Sequence, residues 1–152
     1  MPYFDKGDDT RRDGFGPKQI LRSTNPGTTS LESYTFAHES LDREDLAGTP
    51  MRYLQRGEVL AKITSGDHEG KVGVYQADAT DGRGDTANIV GLNDTYLPYQ
   101  LEDGDQQVAA YYQAVAVQGW CSERNADGER IVLTDTVADA MRGTKGLDIL
   151  FK

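Results

Sequence analysis

The stretch RGEVLAKITSGDHEGKVGVYQADATDGRGDTANIVGL, residues 56–92, decides how the rest of the chain is read. Three short apolar runs lie in it: Val59 to Ile63, Val72 to Tyr75 and Ala87 to Leu92. Val59, Ala61 and Ile63 fall on one side of an extended backbone, with Leu60 and Lys62 on the other, and Val72 and Val74 repeat the alternation. β-Branched residues at period two favour a strand over a helix. The spacers, Ser65 to Gly70 and Asp81 to Asp85, are turn chemistry, in which Gly supplies positive φ and Asp caps its own backbone. The stretch therefore predicts strand, turn, strand, longer loop, strand, an antiparallel β unit. Its residues read as scaffold, with none placed for catalysis.

Downstream, Asn93 to Leu101 mixes aromatics with Pro98 and reads as an irregular or edge segment. Glu102-Asp103-Gly104-Asp105 is an acidic turn. Gln107 to Trp120, QVAAYYQAVAVQGW, is the longest strand candidate, because Val115, Val117 and Gly119 outweigh its alanines. Asn125 to Gly128 predicts a hairpin turn into a strand over Arg130 to Thr134. Thr136 to Asp139 resembles a capping signal, which makes Asp135 to Arg142 a short helix ended by Gly143. Leu147, Ile149 and Phe151 alternate as a last strand. The fold class is mainly β.

Upstream the composition changes. Residues 1–50 read as an extended N-terminal arm and residues 51–152 as the β-rich core. In the arm, acidic residues such as Asp5 and Asp8 alternate with Lys6, Arg11 and Arg12, broken by glycines and by Asn25-Pro26-Gly27. Its larger apolar residues are sparse, among them Ile20, Leu21, Leu31, Tyr34 and Phe36. So little apolar surface does not offset the ordering entropy of the segment on its own. It is either a disordered tail or an arm that orders on a partner. Ser33 to Ala37 favours the second, since Tyr34 and Phe36 alternate with Thr35 as a strand with no evident partner, suited to adding onto another protein's sheet.

The 16 Lys and Arg against 25 Asp and Glu leave a net charge of −9, which argues against direct nucleic-acid binding through phosphate neutralisation. No apolar run approaches the about 20 residues of a membrane span. The first residues contain no apolar signal core, so a cytoplasmic origin is expected. The single cysteine, Cys121, excludes an internal disulfide framework.

Motifs with chemical potential are few. Gly82 to Ala87 matches G-x-G-x-x-A, but the following Ile89 to Leu92 has a strand pattern where a dinucleotide loop needs a helix. Asp78, Asp81 and Asp85 offer carboxylates, yet Thr80, Gly82 and Ile89 occupy positions where a calcium loop needs oxygen ligands. Arg83-Gly84-Asp85 is a chance-level adhesion triplet. Cys121 with His38 or His68 is the only thiol–imidazole combination, and its sequence context is that of an inert thiol. No catalytic residue, cofactor or metal site is expected.

The order of features resembles the phage lambda-type head decoration, or capsid cement, proteins. The resemblance rests on G-x-V-L-x-K at Gly57 to Lys62, Gly70-Lys71, Ala79-Thr80-Asp81-Gly82, and Ala87 to Gly91, with Gly146 to Ile149 in the closing strand. It covers roughly Arg56 to Lys152. The chain departs from the family pattern in its longer arm and in the Cys121 to Glu129 hairpin.

The resemblance implies a non-enzymatic virion protein with a small β-barrel or tulip-like antiparallel core and one or two short helices. Such proteins form homotrimers on the outer surface of the capsid at three-fold positions. Their partner is the major capsid protein, whose shell they hold against internal DNA pressure. The arm would bind that shell, with Ile20, Leu21, Leu31, Tyr34 and Phe36 as candidate contacts. Alternative classes are a β-barrel ligand- or calcium-binding module and a thiol enzyme using Cys121.

Overall fold

The structure is a computed structural model that describes residues 18–152, so the expected arm's residues 1–17 lie outside the described residues. The chain runs β1 (Leu21–Ser23), β2 (Ser30–Phe36), β3 (Glu44–Leu46), β4 (Thr49–Met51), β5 (Val59–Lys62) and β6 (Val72–Val74). It continues through β7 (Ile89–Asn93), β8 (Gln106–Ala116), β9 (Ser122–Arg124), β10 (Arg130–Val132), the helix α1 (Asp135–Gly143) and β11 (Asp148–Phe151).

Residues 56–92 form the expected antiparallel unit, with β5 between β6 and β7. The order β8-β2-β6-β5-β7 then returns to β8, so these strands close into a barrel. Closure runs through Leu92↔Tyr111 between β7 and β8, while Tyr34↔Val108 and Phe36↔Val72 join β2 to β8 and to β6. β1 and β11 flank the far half of β8, the first antiparallel and the second parallel. Gly91 makes closure possible. Its φ is +147°, and a Cβ at that position would lie 2.0 Å from Tyr111 O, so only glycine lets β7 approach β8 this closely.

Alternation along the strands separates two apolar layers. Phe36, Leu60, Val72, Val74, Val108 and Ala110, with partly buried Val90, draw on every strand of the ring and fill its interior. Leu41, Leu54, Leu97 and Leu101 join this inner cluster from the connections. Val59, Ala61, Ile89, Leu92, Tyr111 and Ala114 come from β5, β7 and β8 alone and face outwards. Val137, Ala138 and Met141 of α1 cover them, and Ile149 of β11, beside β8 in the same sheet, joins this layer. A strand buried on both faces needs apolar residues at successive positions, which is why Val59-Leu60-Ala61 is continuous.

The helix begins at Asp135, where the sequence places it, with Thr134 as its N-cap. The Thr134 hydroxyl and N–H both donate to Glu123 Oε2, at 3.0 and 3.1 Å, so the residue ties α1 to β9 instead of capping its own first turn.

The expected boundary at residue 50 does not hold for the described part of the arm. β2 has a partner in its own chain, pairing antiparallel with β8 from Ser30↔Gln113 to Phe36↔Gln106. The physical reason lies in β8: β7 covers it only at Tyr111 and Ala110, and the remaining N–H and C=O groups of its first half need a second strand. β2 reads as poor in apolar residues because Leu31, Glu32 and Ser33 lie exposed, and its burial is concentrated at Phe36. β3 and β4 form a separate hairpin, Glu44↔Met51 to Leu46↔Thr49, which joins the body through side-chain charges.

Candidate functional site

Charged groups converge at one buried place. Glu58, just before β5, is fully buried, and Arg124 of β9 is 3% exposed. Glu58 Oε1 accepts from Arg124 Nε at 3.3 Å, and Oε2 accepts from Arg130 Nη1 at 2.6 Å and from Gln55 N–H at 2.9 Å. The two guanidiniums also converge on Glu44 Oε1, at 3.0 Å from Arg124 and 2.6 Å from Arg130. Arg130 lies over the Tyr53 ring at 5.2 Å. Burial is the largest influence on the Glu58 carboxyl and pushes it up, but Arg130, Arg124 and the Gln55 N–H together bring it below its ordinary value. Two carboxylates and two guanidiniums balance in charge, and both guanidiniums are engaged by Glu58 and Glu44. The arrangement is a joint: it binds the β3–β4 and β9–β10 hairpins to the barrel.

The second cluster is at the surface, beside the narrowest seam of the barrel. β2 meets β6 only at Phe36↔Val72, extended by Ala37 N–H to Val72 O at 2.9 Å. There Asp105 Oδ1 receives His38 Nδ1 at 2.5 Å and the His38 N–H at 3.0 Å, while Oδ2 receives Lys71 Nζ at 2.6 Å. Burial acts to raise the Asp105 carboxyl, and the hydrogen bonds from Lys71 and His38 overcome it, holding the group below the usual carboxylate range. His68 Nε2 stands 3.0 Å from Glu39 Oε1 next to this cluster in the chain. An Asp–His pair has the outline of a hydrolytic dyad. The nearby Ser40 hydroxyl, however, donates to Ala37 O at 2.6 Å and is not directed to His38 as a nucleophile.

The sequence-derived candidates are dispersed or already engaged. Cys121 is buried, and burial pushes its thiol up to about 12, the opposite of an activated nucleophile. Asp81 accepts from Arg83 Nε at 3.0 and 3.1 Å, and Asp85 caps Ala87 N–H at 2.9 Å. Arg83 also donates to Ser40 O and Val74 O, which fixes the triplet's arginine against the barrel instead of offering it outwards. Thr86–Asn88 is a 3-10 turn leading into β7, with no helix to receive a phosphate. Among the described residues no group of three or more His, Cys, Asp or Glu is arranged to hold a metal ion.

The expected shell contacts do not form one surface. Ile20 and Leu21 are 0% and 7% exposed in the outer apolar layer, and Phe36 is 0% exposed inside the barrel. Tyr34 is half-buried against that interior cluster, and Leu31 alone of the five is well exposed, at 44%. Tyr34 and Phe36 therefore belong to the domain and are not the anchor of a free arm. The Glu58 joint escaped sequence reading because its ion pairs join positions 66 and 72 residues apart. Comparison of the chain with protein-family models, with characterised proteins and with solved structures found no match.

Proposed function

We propose that the protein is a structural virion protein, a capsid decoration protein that binds the outside of a phage head as a homotrimer and stabilises the major capsid protein shell. One observation carries this reading: the motif stretches at Gly57 to Lys62, Gly70-Lys71 and Ala87 to Gly91, on which most of the resemblance rests, form or lead into the adjacent strands β6-β5-β7 of one barrel. Their glycines have structural work in this chain. At Gly57, φ is +87° and a Cβ would lie 2.7 Å from Ile20 Cγ2, while Gly91 seals β7 against β8. The closed charge joint and the blocked thiol are consistent with a protein that acts by being in place. The shell contact is assigned to surfaces other than Tyr34 and Phe36.

The test mixes the purified chain with expanded heads of the same phage that lack it. Co-sedimentation at three copies per three-fold position, with a raised melting temperature of the shell, is the expected result. Absence of co-sedimentation with intact expanded heads would overturn the assignment.

A further inference from the structure

β10 is bonded on one edge only. Its register with β9 is Arg130↔Arg124, Ile131↔Glu123 and Val132↔Ser122. The ladder is bracketed by Asn125 N–H to Glu129 O at 3.0 Å and Leu133 N–H to Cys121 O at 3.1 Å. In an antiparallel pair the bonded positions alternate, so Glu129, Ile131 and Leu133 bond towards β9 while the N–H and C=O groups of Arg130 and Val132 point away. No other strand among the described residues pairs with β10. The opposite edge of β9 is in use, since Ser122 N–H reaches Gly57 O at 2.9 Å and Arg124 N–H reaches Tyr75 O at 3.2 Å. The hairpin thus extends the barrel and ends in an open strand.

That open edge lacks the usual protection. Edge strands are commonly blunted by lysine, proline or a bulge. Residues 129–134 contain neither lysine nor proline, and Arg130 turns its guanidinium inward to Glu58 and Glu44. Val132 is 62% exposed, and the turn against which β10 packs presents Trp120 at 41%. Asp127, Glu129 and Asp135 are the exposed acidic residues around it.

Charge selects the occupant. A second copy pairing antiparallel about Val132 would bring Glu129 beside Asp135, the first residue of its neighbour's α1, and a two-fold about Ile131 would bring Asp127 of the turn towards the same residue. Like charges directly opposite destabilise a strand pair. A foreign strand with basic ends meets no such conflict.

We propose that β10 is a strand-docking edge for an extended segment of a partner protein, with an apolar residue opposite Val132 and Lys or Arg opposite Glu129 and Asp135. The main-chain groups of Arg130 and Val132 supply the bonds, and the flanking acids supply the selection. This inference is independent of the decoration reading and stands or falls separately.

The probe is the synthetic peptide Lys-Val-Thr-Val-Thr-Val-Lys, added to the isotopically labelled full chain and followed by NMR. Saturable binding with slowed amide exchange at Arg130 and Val132 is expected. The same peptide with glutamate at both ends should bind at least about tenfold more weakly. Val132→Pro removes the outward N–H at an edge position that tolerates proline, and should abolish binding. Val132→Lys, which keeps the N–H but blunts the edge, should weaken binding if the proline variant does not fold. Protection elsewhere in the chain, equal binding of the acidic peptide, or unchanged binding by a folded Val132 variant would each overturn the proposal.

Discussion

Gly91 and Glu58 carry constraints out of proportion to their size. At Gly91 any side chain must occupy space held by the Tyr111 carbonyl, 2.0 Å from the Cβ position, in a backbone conformation that L residues avoid. Gly91→Ala is expected to cost about 2–4 kcal/mol, from overpacking plus backbone strain, read as a lower urea midpoint. Gly143 is the contrast: it ends α1 with nothing within 4 Å of its Cβ position, and Gly143→Ala should be neutral or stabilising by up to about 1 kcal/mol. If both variants unfold at the same urea concentration, the close approach of β7 to β8 is not what limits closure. Glu58→Gln leaves Arg124 and Arg130 buried with only Glu44 as counter-charge. The expected loss is about 3–5 kcal/mol, the range for breaking a buried pair on one side. An effect below about 1 kcal/mol would place the joint among ordinary surface pairs.

At the scale of elements, β2 separates what could be read in the chain from what could not. The runs at Val59, Val72 and Ile89, the long β8, the β9–β10 turn, α1 and β11 were all legible, because each carries its own periodicity and its own Gly or Asp punctuation. β2 was legible as a strand but not as a member of the barrel. Its alternation marks Tyr34 and Phe36, yet nothing local says that their partners lie on β8, at Val108 and Gln106. The charge joint was hidden for the same reason, since a Glu before an apolar run is unremarkable until two distant arginines close over it. If β2 is part of the barrel, its amides should exchange as slowly as those of β8 in the free protein. Phe36→Ala, which opens a hole in the interior, should cost about 3–5 kcal/mol, while Leu31→Ala, at an exposed site, should stay within about 0.5 kcal/mol. Fast exchange across Ser30–Phe36 together with an unchanged melting temperature for Phe36→Ala would restore the free-arm reading.

For the whole molecule, the net charge of −9 and the paired carboxylates respond to acid in opposite directions. Protonating exposed Asp and Glu first relieves general repulsion, which favours the compact state and is screened by salt. Three carboxylates behave otherwise. Glu58 and Asp105 are held below their ordinary values, and Glu102, bonded to the Arg43 side chain and the Arg52 N–H, is brought down to about 2. A carboxyl with a depressed folded value contributes stability that is present above its unfolded value and lost as pH falls through the folded one. With unfolded values of 4.5 for Glu and 3.8 for Asp, the loss begins below about pH 4.5 and continues towards pH 2. The exposed Arg43–Glu102 pair adds little to it, because solvent screens such pairs, so the slope should come from the buried joint and from Asp105. Urea midpoints measured from neutral pH downwards should stay level or rise slightly to about pH 5, then fall steeply. Added salt should flatten the first part and leave the second largely unchanged. Glu58→Gln has no charge to lose at that position, so its midpoint should start lower and fall less steeply below pH 4.5. A parent-like acid slope in that variant would move the origin of acid sensitivity away from the joint and onto the surface carboxylates.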